Sequence, residues 1–251
     1  MPPACSMETP DRMTVESARD RLIVALDVPT VDDARSLVAA LGDSVSFYKV
    51  GLELAMRGGL EFARGLTATG KHIFLDLKLL DISNTVERAV ANAAATGATF
   101  LTIHGTDTKT MAAAVRGRAD SQLRLLAVTV LTNLDAEDLA EQGISRAPED
   151  LVVHRAQLAL QAGFDGVIAS GREAGAVRSA TAPNFLIVTP GIRMQGGSAD
   201  DQARAASPAS AIASGADYLV VGRPITQAAD PAASAWAFID EIAAASRSAP
   251  R

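Results

Sequence analysis

From Arg21 onward the chain alternates between two hydrophobic patterns. The first is a short, nearly continuous apolar run, too short for a helix and rich in Val, Ile, Leu or Phe. It occurs eight times: LIVALD ending at Asp27, VSFYKVG containing Lys49, HIFLDLK ending at Lys78, ATFLTIHG containing His104, LRLLAVTVLT ending at Thr132, DGVIAS ending at Ser170, FLIVTPG ending at Gly191, and DYLVVGR ending at Arg223. Unbroken apolarity predicts strands buried on both faces, as in a parallel sheet covered by helices. The second pattern has helical period and composition, as in VDDARSLVAALG and TVERAVANAAATG, and often closes on a glycine such as Gly97 or Gly163. Strand then helix, eight times over, predicts a single (β/α)8 TIM barrel of the α/β class. A doubly wound open sheet is the competing architecture, but VPTVDDA follows the first run where a dinucleotide fold would carry GxGxxG. The expected layout is a flexible tail over 1–20, which carries Pro2, Pro3 and Pro10, a barrel over 21–245 and a frayed end over 246–251. PITQAADPAASAWAFIDEIAAA reads as one last helix.

Composition narrows the function. Of 251 residues, 48% are apolar and 21% charged, which excludes disorder and leaves enough chain for a core without disulfides or a structural metal. The only cysteine, Cys5, has no partner, so a reducing, cytoplasmic setting is expected. A net charge of −6 argues against a nucleic-acid surface. No run is long enough for a membrane helix, and residues 1–20 lack the apolar core of a signal peptide.

In a barrel the chemistry lies at the carboxyl ends of the strands. Asp27, Lys49, Asp76, Lys78, Thr132, Arg193 and Arg223 all fall at or just beyond such ends. The densest segment is DLKLLDISNT, residues 76–85. Period two along a strand puts Asp76 and Lys78 side by side on one face. A lysine flanked by carboxylates can stay protonated and serve as a local proton donor, although a structural salt bridge at the rim is the alternative. Asp81, Ser83 or Asn84 could instead cap the following helix. Gly191 and Gly222, at the ends of strands seven and eight, would let backbone N–H groups approach a phosphate, with Arg193 and Arg223 beside them. The polar, Gly-rich stretch 194–204 reads as a mobile lid. His72 falls at the wrong end of the barrel, and His154 on an outer helix. His104 faces the mouth, but with Asp27 and Asp76 it lacks the spacing of a metal site, so no metal is expected.

ALD at Asp27, YKVG, DLKLLDISNT, VTVLTN, VTPGIR, the pair Asp201–Gln202 and VVGRPIT occur in the order that resembles the bacterial orotidine 5'-phosphate decarboxylase family, over about residues 21–240. Leu80 and Ser83 depart from the family's usual DLKxHDIPNT. The resemblance implies a phosphate-binding TIM barrel that turns orotidine 5'-phosphate into uridine 5'-phosphate and CO2, the last step of de novo UMP synthesis, without a cofactor. It implies a charged network of Lys49, Asp76, Lys78 and Asp81, with Lys78 the proton donor and Asp81 entering the partner's site in a homodimer. It further implies that Asp27 and Lys49 bind ribose hydroxyls, and that Thr132 and the partner's Thr85 hold the nucleotide. Gln202, or less well matched Gln195, would contact it from the lid, and Arg193, Gly222 and Arg223 would take the phosphate. Two other readings remain: a magnesium-dependent phospho-sugar decarboxylase or aldolase on the same barrel, and a non-catalytic nucleotide-phosphate sensor.

Overall fold

Each of the eight apolar runs forms a strand in the computed structural model, which describes residues 17–194 and 206–248. The strands are β1 (Leu22–Ala25), β2 (Phe47–Gly51), β3 (His72–Leu79), β4 (Phe100–His104), β5 (Arg124–Val128), β6 (Gly166–Ile168), β7 (Leu186–Thr189) and β8 (Tyr218–Val221). Each pairs in parallel with the next. β8 returns to β1 through Leu22↔Leu219 and Ile23↔Val220, which closes the barrel and excludes the open sheet.

The helices are α1 (Val31–Leu41), α2 (Leu52–Leu54), α3 (Leu60–Ala68), α4 (Ser83–Ala94), α5 (Thr108–Arg118) and α6 (Ala136–Glu141). They continue with α7 (Pro148–Ala162), α8 (Ala174–Ala180), α9 (Pro208–Ala213), α10 (Arg223–Thr226) and α11 (Pro231–Ser248). Among the described residues, no helix is long and apolar enough to cross a membrane.

Strand alternation sorts the core into two shells. Ile23, Phe47, Phe74, Phe100, Leu126, Val188 and Tyr218 pack together inside the barrel, while Val24, Tyr48, Ile73 and Leu101 belong to the larger outer cluster. At the floor the Phe100 ring lies 5.1 Å from both Phe47 and Tyr218, so the lumen is a packed core that supports whatever stands above it.

Several boundaries differ from the sequence pattern. The expected single last helix is broken into α10 and α11. Pro231 has no N–H with which to continue a preceding helix, and the Asp230 carboxylate accepts a hydrogen bond from the Ala233 amide at 2.9 Å, starting a new one. α11 then runs to Ser248, past the expected end of the barrel at Ala245. At the other end, residues 17–20 form a turn in which Ser17 donates to Asp20 at 2.8 Å. Arg21 fastens that turn to the base of β8 by donating to the carbonyls of Ala216 and Asp217 at 2.9 Å each. The remainder of both flanking segments, and Gln195, Gln202 and nearly all of the expected lid, lie outside the described residues.

Candidate active site

The inward positions that carry phenylalanine low in the barrel carry charge one pleat higher. Lys49 follows Phe47 on β2, Asp76 follows Phe74 on β3, and Asp27 stands just beyond β1. Lys49 Nζ lies 2.8 Å from Asp27 Oδ1 and 3.4 Å from Asp76 Oδ2, and Lys78 Nζ lies 2.7 Å from Asp76 Oδ1. The result is an alternating row, Asp27–Lys49–Asp76–Lys78, across three strand ends.

Asp81 is not part of this row within its own chain. It is exposed, and its Oδ1 accepts from the adjacent Ile82 amide at 2.6 Å. It is not the helix cap either: α4 starts after Ile82 with no side-chain cap, so neither Asp81, Ser83 nor Asn84 fills that role. Thr85, in the first turns of α4, is also exposed.

Asp76 and Lys78 are neighbours as expected, but simple alternation is not the reason. β3 pairs with β4 through Phe74↔Phe100 and Leu75↔Leu101, then resumes only at Leu79↔Ile103. The three residues 76–78 thus stand opposite Thr102 alone, and Lys78 adopts φ +47°, a left-handed conformation uncommon for a residue with a side chain. The bulge swings the ammonium back onto the Asp76 carboxylate.

These contacts set the charge states. Burial works against the Lys49 ammonium, yet Asp76 and Asp27 outweigh it and hold its pKa above the ordinary lysine value. Burial likewise favours the neutral Asp76 carboxyl. Lys49 and Lys78, with hydrogen bonds from Lys78 and Thr102, prevail and hold it below the usual carboxylate range. A buried ion kept charged in this way depends on its partners, and removing one typically costs about 3–5 kcal/mol. Half-buried His104, at the end of β4, is pushed down by burial and then by the charges of Lys78 and Arg155. Among the described residues, no three His, Cys, Asp or Glu side chains gather as metal ligands would.

The row opens into a cavity of about 510 Å3 whose far wall is Pro190, Gly191, Arg193, Gly222 and Arg223. Gly191 has φ +75°, the left-handed region in which a side chain would be strained. Arg193 donates to the Ile192 carbonyl at 2.9 Å and, through its amide, to the Ala206 carbonyl at 2.9 Å, so the chain on either side of the expected lid meets at this wall. A more apolar lobe of about 140 Å3 adjoins it, lined by Phe74, Val130, Thr132 and Ile168, with Lys78 and Asp76 at the junction. Thr132 lies in the loop beyond β5, which ends earlier than expected, at Val128. One lobe is thus suited to a charged and hydroxylated group, the other to a flat apolar one, and the Lys78 ammonium stands between them. Another cavity, of about 480 Å3, opens at the opposite end of the barrel, where Arg118 and Asp165 neutralise each other at 2.7 Å.

Two residues at the site escape a reading of strand ends alone. Thr102 lies inside β4, where an isolated hydroxyl in the apolar run FLTIH is the available signal. Gly51 closes β2 in YKVG, and a Cβ there would sit 2.9 Å from Asp27 Oδ1 and 3.1 Å from Lys49 Nζ.

Comparison with known proteins identifies the family. The model of the orotidine 5'-phosphate decarboxylase / HUMPS family matches residues 20–238. A relative named orotidine 5'-phosphate decarboxylase from Nitrobacter winogradskyi is 55% identical over 230 residues, 92% of this chain and 95% of its own length. One of the same name from Rhodopseudomonas palustris is 54% identical over 228 residues, 91% of this chain and 97% of its own. The crystal structure of orotidine 5'-phosphate decarboxylase from Lactobacillus acidophilus matches with a TM-score of 0.79 at 36% identity, covering 88% of this chain and 98% of that one.

Proposed function

The chain belongs to the orotidine 5'-phosphate decarboxylase / HUMPS family, and on that premise we propose that it converts orotidine 5'-phosphate into uridine 5'-phosphate and CO2 with Lys78 as the proton donor. The observation that carries this reading is the Asp27–Lys49–Asp76–Lys78 row at the edge of the cavity. Breaking the bond between C6 and the carboxylate leaves an electron pair in the plane of the pyrimidine ring, where the π system cannot delocalise it. Stabilisation therefore comes from fixed charge. The Lys78 ammonium stands beside the developing pair and then gives it a proton, forming the C6–H bond and leaving a neutral amine that solvent reprotonates. Asp76 faces the departing carboxylate, so repulsion present in the bound substrate is relieved as neutral CO2 forms.

The rest of the wall binds. Asp27 and Lys49 take the ribose hydroxyls, Thr132 lines the base lobe, and Arg193, Gly222 and Arg223 hold the phosphate, with Gln202 a further contact to the nucleotide. Binding energy collected at the phosphate then serves to orient C6 against Lys78.

The enzyme works as a homodimer in the cytoplasm, with Asp81 and Thr85 completing the partner's site. Support for the dimer comes from their exposure and from the apolar surface around them: Leu80 is 56% exposed and Ile82 73%, and Met56, on the neighbouring βα segment, is 82% exposed. A second copy related by a two-fold axis would cover that surface and bring each Asp81 to the other mouth. The test of the function is direct. Purified protein mixed with orotidine 5'-phosphate should lose the absorbance of the orotate ring as uridine 5'-phosphate accumulates, and absence of turnover overturns the reading.

A further inference from the structure

The bulge in β3 places a demand on its neighbour. Residues 76–78 face one residue of β4, and that residue, Thr102, is fully buried. Its Oγ1 lies 2.9 Å from the Lys78 amide and 3.0 Å from Asp76 Oδ1. An amide N–H can only donate, so the hydroxyl accepts there and its one proton is free to go to the carboxylate. The directions of both bonds follow. The same Asp76 Oδ1 also receives the Lys78 ammonium at 2.7 Å, which closes a ring: Lys78 backbone to Thr102, Thr102 to Asp76, and Asp76 back to the Lys78 side chain.

We infer that Thr102 is a positioning residue for decarboxylation, its hydroxyl locking the left-handed backbone of Lys78 and the carboxylate of Asp76 into one rigid unit. Thr102 is sealed beneath the site and acts on substrate only through those two groups. Threonine suits the task because its β-branched side chain, unlike that of serine, has few rotamers on a strand and so keeps the hydroxyl aimed. The neighbouring contacts do not replace it. Lys49 approaches the other oxygen of Asp76, at 3.4 Å, and a lysine ammonium has no lone pair with which to accept from the Lys78 amide. The inference rests on the proposed roles of Lys78 and Asp76.

The test compares Thr102→Val, which keeps the shape and deletes the hydroxyl, with Thr102→Ser, which keeps the hydroxyl. Turnover of orotidine 5'-phosphate, binding of uridine 5'-phosphate and thermal unfolding are measured for each. The valine chain should lose about 10- to 100-fold in kcat, the range for one lost hydrogen bond to a charged group, while nucleotide affinity stays within about threefold. The serine chain should recover most of that loss. A wild-type chain with no turnover overturns the decarboxylase reading itself. A wild-type chain that turns over beside a valine chain within about threefold in kcat overturns only the role of Thr102. That role is also overturned if serine loses as much as valine, or if kcat and affinity fall together. If the valine chain does not fold, hydrogen exchange in the wild type decides: the Lys78 amide should be protected, and exchange as fast as an exposed loop amide overturns the inference.

Discussion

Replacing Gly51 by alanine should weaken nucleotide binding while leaving the fold nearly untouched. Gly51 has φ −93° and ψ −176°, an extended conformation open to any residue, so the backbone does not resist the change. The resistance comes from the site. The new Cβ would lie 2.9 Å from Asp27 Oδ1 and 3.1 Å from Lys49 Nζ, whereas ordinary contact begins near 3.4 Å, so the carboxylate must retreat by about 0.5 Å and the ammonium by about 0.3 Å. Asp27 is half-exposed and can move. The retreat stretches its pair with buried Lys49 without removing it, and water reaches the half-exposed carboxylate, so the empty protein should lose only about 0–1 kcal/mol, which for a chain of this size corresponds to at most about 4 °C in Tm. Binding depends on the same atoms more steeply. A hydrogen bond to a charged group is worth about 1.5–3 kcal/mol, so misplacing the ribose contacts should raise the Kd for uridine 5'-phosphate about 10- to 100-fold. Calorimetric titration of Gly51→Ala, Asp27→Ala and the double variant, with thermal unfolding alongside, measures this. Because Asp27→Ala removes the nearest obstacle, the added methyl should cost less in that background, with a coupling of about 1 kcal/mol or more. Gly51→Ala binding within twofold of wild type, or strict additivity, would refute the steric reasoning. Unchanged binding by Asp27→Ala alone would instead refute its assignment to the ribose.

Lys78→Ala should abolish turnover yet still bind uridine 5'-phosphate, because it removes the donor and leaves the phosphate wall; activity within tenfold of wild type would count against Lys78. Arg223→Ala should lower kcat/KM by about 1.5–3 kcal/mol, the range for a charged hydrogen bond to phosphate, as steady-state kinetics will read. Asp81→Asn and Lys78→Ala chains should each be nearly inactive alone. Mixed in equal amounts with subunit exchange, they should recover towards about one quarter of wild-type activity, since about half the dimers are mixed and each of those has one intact site; verified exchange without recovery places Asp81 in its own chain's site. By NMR, His104 should titrate below 6.5, and Lys78→Ala should move it upward by removing the larger of the two repelling charges. The linkage follows from the sign: the unfolded chain takes up this proton near 6.5 and the folded one lower, so His104 contributes stability above pH 6.5 that is lost as the pH falls through the folded value.

Local pattern was sufficient for the architecture. Eight apolar runs separated by helical segments predict a parallel sheet covered by helices, eight such units are the count of a closed barrel, and polar residues at the carboxyl ends of its strands then gather around one mouth. Asp27, Lys49, Asp76 and Lys78 were therefore legible as a group, as were the glycines and arginines of the seventh and eighth strand ends. The sequence could not show how the group is held. That depends on the register between β3 and β4, where three residues face one, and register is a property of two strands rather than of either. It is why the lone hydroxyl of Thr102 in the apolar run of β4 does not by itself disclose its bonds to Asp76 and Lys78, and why Lys78 reaches Asp76 through a left-handed turn instead of simple alternation. The close approach that reserves position 51 for glycine likewise exists only once β1 and β2 lie side by side, Ala25 against Lys49, and bring the Asp27 carboxylate within 2.9 Å of where a Cβ would be. Periodicity records which face a residue takes; distances between faces are decided when the barrel closes.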